Sequence, residues 1–432
     1  MTSHLKDTIA LGSAIAMGLS ISTGYPLGMI VAVGMPVAVL APGTRKSAFK
    51  GAFGYYLAAL WPLIPGLERY IGRSATVTPL ALWALASVLL SLPWTIAATT
   101  QRAQYLWRVP IVLFATVIPP LGIIGLASPL TSAGYLFPGT AWAGLALVAF
   151  IPGIVLAAQA LPVLPRYPLR FLVIGFCIGS ALAGWYLKSG DAPIPLGWVA
   201  INTHFGDVSQ PFRDFSAAQF IQRKSAETPA RVLIFPEAVV PRWSHATEAF
   251  WQDSLDRCRT RGQILALGVG LPMKTGQDTQ DNLSDLHLYD FRAAIDALKT
   301  MNTLPLRTAQ MKPRPEISDN ALLVVGAESA TFYQRISVPV GMWKPFTRMS
   351  VPLRLTGPGV LTIDHQRAAV LICYEQMLTF PILTSLLQHP TVIVGISNTF
   401  WVDRTSIPLF QANAVRAWAS LFRLPYLLAA NT

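Results

Sequence analysis

The chain is 432 residues long, 53% hydrophobic and 12% charged, with a mean hydropathy of +0.46 and a net charge of +12. A soluble domain carries about a quarter charged residues, so this composition excludes a single water-soluble globule. The excess charge is not a nucleic-acid footprint, because the N-terminal basic residues fall in pairs between apolar runs and not along one face.

Eleven of the 33 Lys and Arg precede Asp191, but only Asp7 and Glu68 of the 21 acidic residues do. The first 190 residues are therefore nearly free of acid, and their apolar runs fall near 8–23, 26–41, 51–66, 78–98, 109–128, 138–163 and 171–187. A helix needs about 20 residues to cross the hydrocarbon core, which predicts a transmembrane helical bundle over 1–190 with six or seven crossings. The first run, from Ile9, is read as a retained anchor. Basic residues at Lys6, at Arg45, Lys46 and Lys50, at Arg102 and Arg108, and at Arg166 and Arg170 alternate with bare turns at 24–25 and 129–137. Arg69 and Arg73 break that alternation. With the basic loops inside and seven crossings, the part beyond Lys188 lies outside the cytoplasm; with six it lies inside. The expected location is the bacterial inner membrane, with the following domain periplasmic. No Asp, Glu or His falls mid-span, so the bundle is read as anchor and platform, not as a pump.

From Asp191 the composition becomes that of a soluble domain. Strands are predicted at 197–202, 231–235, 264–269, 321–325, 366–373, 391–396 and 426–430, and helices at 216–223, 248–261 and 406–422. That alternation predicts an α/β domain over 191–432, with a polar insertion or lid at 271–318. Val-Leu-Ile-Phe-Pro-Glu (232–237) and Leu-Ile-Cys-Tyr-Glu (371–375) are apolar strands that each end in a reactive side chain. In α/β sheets such ends gather at one cleft. A thiol beside a carboxylate that can take its proton begins covalent acyl chemistry, which makes Glu237 and Cys373 the candidate pair. Asn398 also falls at a strand end. The three cysteines, with Cys177 and Cys258, make no disulfide framework, and His204, His245, His287, His365 and His389 lack ligand spacing. No cofactor or metal is expected.

Six motifs extend this pattern in order: Phe-Pro-Glu-Ala (235–238), Asn-Ala-Leu-Leu-Val-Val-Gly (320–326), Val-Pro-Val-Gly-Met-Trp-Lys-Pro (338–345), Ile-Cys-Tyr-Glu-Gln (372–376), Ile-Ser-Asn-Thr-Phe-Trp (396–401) and Gln411 through Trp418. Over about 230 residues they resemble the carbon–nitrogen hydrolase (nitrilase) superfamily. The membrane-plus-hydrolase layout is similar to apolipoprotein N-acyltransferase and to the members of that group that serve conjugative plasmid transfer. The resemblance implies an α-β-β-α sandwich in which Glu237 is general base and Cys373 nucleophile, forming an acyl thioester that passes to an amine or to water. It also implies supporting roles for Tyr374, Glu375, Asn398, Trp401 and Trp343. In a strand Glu375 would point to the same side as Cys373, two residues away.

The chain departs from the family's pattern where a lysine stabilises the reacting group. A gapless reading from Pro339 puts Gln334 there, a one-residue gap puts Arg335, and Lys344 is a third candidate. Arg335 is taken as the substitute, although a guanidinium cannot cycle a proton. Met342 replaces the loop's second Glu, and the matched pattern ends at Asn431-Thr432, where the acyltransferases continue. Two functions stay open. One is an enzyme using Glu237, Arg335 and Cys373, with a membrane lipid as acyl donor and a protein amine, or a conjugation-apparatus protein, as partner. The other is a degraded scaffold that binds within the conjugation machinery.

Overall fold

The computed structural model describes residues 3–71, 77–159, 179, 192–208, 213–273, 318–345, 347 and 350–432. Nearly all of the run at 171–187, with Cys177, lies outside the described residues, as do Arg73, Arg166, Arg170 and most of the insertion at 271–318.

The N-terminal part is built of helices, among them Ser3–Ser22, Arg45–Leu60, Leu63–Ile71, Val77–Ala97, Tyr105–Val117 and Trp142–Ala158. Among the described residues Val77–Ala97 alone is long and apolar enough to cross a membrane by itself; Pro26–Leu40 and Trp142–Ala158 are apolar but shorter. The six or seven full spans expected from hydropathy are thus not seen as such. Proline explains part of the difference. Pro36 follows a 3-10 turn at Ala32–Gly34 that splits the second run, and Pro110 sits inside Tyr105–Val117, each removing a backbone donor.

The remainder folds as two facing sheets. The first carries β1 (Trp198–Ala200), β2 (Val232–Ile234), β3 (Ile264–Pro272), β4 (Ser318–Gly326) and β5 (Ala330–Tyr333) in that order. β1, β2 and β3 run parallel, and β4 and β5 are antiparallel to their neighbours. The second sheet carries β6 (Val360–Ile363), β7 (Gln366–Ile372), β8 (Val392–Asn398) and β9 (Tyr426–Asn431), with β7, β8 and β9 parallel.

Side chains alternate along each strand, so each sheet has two apolar faces to cover. Val232, Ile234, Ile264 and Ala266 of the first sheet meet Ala368, Val370, Ile372, Val394 and Ile396 of the second in a buried core between the sheets. Leu233, Leu265 and Leu267 face outward and pack under helices Arg213–Glu227 and His245–Thr260 through Ile221, Trp251 and Leu255. Ala369, Leu371 and Ile393 face the opposite way, toward helices Thr379–Leu386 and Ile407–Phe422. That makes four layers, helix–sheet–sheet–helix. The last layer shares one continuous apolar core with the N-terminal helices, so the two halves are joined by buried surface. Each fully buried aliphatic side chain there is worth about 1.5–3 kcal/mol.

Candidate active site

Three parallel strands aim their C-terminal ends at one point. β2 is followed by Phe235, Pro236 and Glu237, and the chain then crosses over β3. Gly268 permits the crossing, because a Cβ there would lie 2.1 Å from the Pro236 carbonyl oxygen and 2.5 Å from Glu237 Cα. β7 stops at Ile372, and Cys373 takes φ +50° before a 3-10 turn, Cys373–Met377. A non-glycine residue in that region is held by its surroundings, not by its own preference. The sharp strand-to-helix turn lifts the sulfur off the end of the sheet, and Gln411 Nε2 holds the Cys373 carbonyl at 2.9 Å.

Glu237 is 6% exposed and fully engaged. Asn398 N–H, at the end of β8, donates to Oε2 at 2.8 Å, and Asn320 Nδ2, from β4, donates to Oε1. The Cys373 thiol lies beside the same carboxyl group, close enough for each to shift the other's ionisation. Burial pushes the Glu237 carboxyl up to about 7, against the lowering effect of the thiol and of Asn398 N–H. Burial pushes the thiol up as well, and the neighbouring carboxylate adds to the rise, while the N–H groups of Asn398 and Tyr374 oppose it. The resting pair is therefore a neutral thiol beside a carboxyl group poised near neutrality. Among the described residues no cation contributes to the thiol's ionisation, so a reaction at this sulfur would have to pass its proton to Glu237 as the sulfur attacks.

The missing cation is explained by the loop after β5. Gln334, fully buried, occupies the position beside the pair: its Nε2 donates to the Ile372 carbonyl at 3.0 Å, and its Oε1 lies 3.3 Å from Asn320 Nδ2. Met342 Sδ lies 3.8 Å from that same Asn320 nitrogen. The gapless reading thus describes the fold, and Arg335 is corrected. Its guanidinium turns away from the sulfur, donating to the carbonyls of Pro381 (3.1 Å) and Val370 (3.2 Å) and to Thr384 and Ser385 hydroxyls. Both residues follow the end of β5 at Tyr333, and their side chains go to different partners. Lys344 is exposed.

Glu375 is corrected too. Because Cys373 starts a helical turn, the two-residue strand rule does not apply. The Glu375 carboxylate folds back and accepts N–H groups of Arg335 (2.7 Å), Ile336 (3.0 Å) and Ile372 (3.1 Å), with Arg335 Nε at 3.5 Å. It staples the Gln334 loop to the end of β7. Removing it strands three backbone donors and a buried guanidinium, so Glu375→Ala is expected to lower stability by about 3–5 kcal/mol, read from chemical unfolding. A loss below about 1 kcal/mol would show the staple to be dispensable.

The other expected residues divide. Asn398 touches Glu237 directly, and its own carbonyl accepts Trp401 Nε1 at 2.9 Å. Tyr374 contributes its backbone N–H to the sulfur, but its hydroxyl points into the N-terminal half and donates to the Ile123 carbonyl at 3.0 Å. Trp343 packs against the shared apolar core, not on the pair. Residues not foreseen are Asn320, quoted within a motif without a role, Asn431 and Tyr70. Asn431 is fully buried and donates to Asn398 Oδ1 and the Gly206 carbonyl while accepting from Thr203 and Phe205. Nothing in the spacing of Tyr70, some 170 residues before Glu237, could have placed it here.

No family model matches the chain. It has homologues named conjugal transfer protein TraB. One, from Sinorhizobium fredii and described as probable, is 29% identical over 407 residues, covering 90% of this chain and 89% of that protein. Another, from Agrobacterium fabrum, is 28% identical over 409 residues, covering 89% and 79%. Among solved structures the chain is similar to an amidase from Nesterenkonia sp., at 14% identity over 56% of this chain and 79% of that one, with a TM-score of 0.31. A single-site variant of the Nesterenkonia AN1 amidase, described as from the nitrilase superfamily, gives 13% identity, 55% and 78% coverage and a TM-score of 0.32.

Proposed function

We propose that the chain is a membrane-anchored, cysteine-dependent acyl-transfer protein of conjugative DNA transfer. The observation that carries this reading is that the buried Glu237 carboxyl and the buried Cys373 thiol lie at neighbouring strand ends, close enough for each to shift the other's ionisation, with Asn398 N–H on the carboxyl. In the reaction, Glu237 takes the thiol proton as sulfur bonds to the acyl carbon of an ester or amide. The tetrahedral intermediate collapses, the leaving alcohol or amine departs with that proton, and a thioester remains on Cys373. An acceptor amine then attacks the thioester, giving a proton to Glu237, and the sulfur leaves and recovers it. Water in place of the amine makes the protein an amidase. The N–H of Tyr374, beside the sulfur, opposes the rise of the thiol's pKa and so favours its ionised form.

Membrane placement, with the α/β half on the periplasmic side, is part of the proposal. It is supported by which end of the helices meets that half. Contacts to it come from Gly24 (carbonyl to Asn413 Nδ2, 2.9 Å), Tyr135 (hydroxyl to Asn413 carbonyl, 2.8 Å) and Ile123. The opposite end gathers Arg45, Lys46, Lys50, Arg102 and Arg108, with Arg102 Nη2 on the Ala41 carbonyl at 2.7 Å. Arg69, which broke the charge alternation, is ion-paired with Asp403 of the α/β half. Basic loops opposite the α/β half fit the positive-inside rule. Trp142 packs on Phe422, and Gly153 abuts the Tyr105 carbonyl, so the helix Trp142–Ala158 runs away from the α/β half. A small, mostly apolar cleft between the halves is lined by Leu60, Leu63, Met377, Ile407 and Phe410. It is not lined by Glu237 or Cys373, though Met377 belongs to the Cys373 turn.

A second reading, a binding scaffold, is favoured by Gln334 and Met342 at positions where the family carries charge. Plasmid transfer from donor cells carrying Cys373→Ala decides between them. The acyl-transfer reading expects transfer to fall by about a hundredfold or more, with the variant still present in the membrane fraction. Undiminished transfer leaves the scaffold.

A further inference from the structure

The helix Leu63–Ile71 belongs to the N-terminal half, yet one of its faces lies on the loop that follows Asn398. A Cβ on Gly66 would come 2.7 Å from Val402 Cγ1 and 3.1 Å from Trp401 Cζ3. Arg69 pairs with Asp403. The ring of Tyr70 packs on Trp401 with centroids 5.4 Å apart and planes tilted by 59°. On its other side that ring meets the turn at 338–343, where a Cβ on Gly341 would lie 2.7 Å from Tyr70 Cε1.

Tyr70 is thus wedged between two loops, and each is one step from the base. Trp401 is tied through Nε1 to the Asn398 carbonyl, and Asn398 N–H holds Glu237. Met342, next to Gly341, touches Asn320, which holds the other oxygen of Glu237. The phenol is near enough for the charges of both Glu237 and Cys373 to add to the desolvation that pushes it up to about 12, so it remains neutral. With 42% of the residue exposed, Tyr70 stands at the outer edge of the two loops that hold Glu237.

We propose that Tyr70 is a specificity-determining roof: its ring, supplied by the N-terminal half, limits the bulk of the group that reaches Cys373. The chemical class selected is a slender acyl group on a flexible chain, against a bulky or branched one. This rests on Cys373 being the reactive thiol of the proposed function.

The test uses the full chain in detergent. Alkylation by iodoacetamide and by the much larger N-(1-pyrenyl)maleimide is followed at the Cys373 peptide by mass spectrometry, with buried Cys258 as internal control. In Tyr70→Ala the rate ratio, large reagent over small, is expected to rise about tenfold or more at Cys373 alone. Tyr70→Phe, which keeps the ring, keeps the ratio. Asp403→Asn, which releases the helix from its ion pair, moves it in the same direction by less and serves where Tyr70→Ala does not fold. An unchanged ratio overturns the roof. A parallel rise at Cys258 also overturns it, since that reports a loosened fold. If iodoacetamide fails to modify Cys373 even in Tyr70→Ala, the reactive-thiol reading falls and takes the roof with it.

Discussion

Glu237→Gln slows acylation of Cys373 by about 10²- to 10⁴-fold, the range a positioned general base contributes. Gln is nearly isosteric and can still accept the Asn398 N–H, so the loss reports proton transfer more than geometry. The measurement is the burst of p-nitrophenol from a short p-nitrophenyl ester, with the thioester located by mass spectrometry. In the wild type the burst rate rises as Glu237 ionises, with its midpoint near the carboxyl's value of about 7. In Glu237→Gln that rise is absent and reactivity grows only at alkaline pH, where the thiol itself ionises. A variant acylating at the wild-type rate would remove Glu237 from the chemistry.

The same substitution carries a stability signature of opposite sign. Burial raises the carboxyl from 4.5 in the unfolded chain to about 7 in the fold. Between those values the native state holds a proton that the unfolded chain releases. The contribution to stability is complete below pH 4.5 and is lost as pH rises through 7. Relative to wild type, Glu237→Gln is therefore expected to gain stability between pH 5 and pH 8, by up to about 3 kcal/mol. Loss of function with gain of stability marks a residue kept for chemistry.

Gln334→Lys is the second large effect. The side chain is buried against the Ile372 carbonyl and against Asn320, whose Nδ2 also donates to Glu237, so a new cation there would face the Glu237 carboxylate. An ammonium within 4–6 Å favours the ionised carboxylate and thiolate, so the midpoint of the acylation profile is expected to fall by about 1–3 pH units. At pH 6 the variant outpaces the wild type. An unmoved midpoint would place Gln334 outside the electrostatics of the pair and return Arg335 to consideration.

The pairing of Glu237 with Cys373 was legible because each closes an unbroken apolar strand. That pattern has few alternatives once both strands are buried. The local rules failed at the turns. The resemblance singles out Glu375 and strand periodicity gives its direction, but the positive φ of Cys373 ends the strand one residue earlier, and no composition signal announces that turn. β5 and β6 carry no unbroken apolar run, since most of their side chains are partly or fully exposed, and so lack the buried-strand signal that β2 shows. The β6–β7 hairpin turns on Asp364 and His365, both at positive φ, where Asn-Gly or Asp-Gly is the usual signal. Choosing between Gln334 and Arg335 needed a register that spacing alone leaves ambiguous. Arg69 looked like a misplaced loop charge because its partner, Asp403, is over three hundred residues away in sequence.

The short turn that presents Cys373 is moored twice, by Gln411 from the last helix and by the Tyr374 hydroxyl reaching the Ile123 carbonyl. The second mooring crosses from one half of the molecule to the other. Tilting the helical bundle would drag on the peptide next to the sulfur, so forces that act on the bundle register directly at the reacting atom. Exchanging the helical half for an unrelated one would cut that line, even if the α/β half still folded around its sheets.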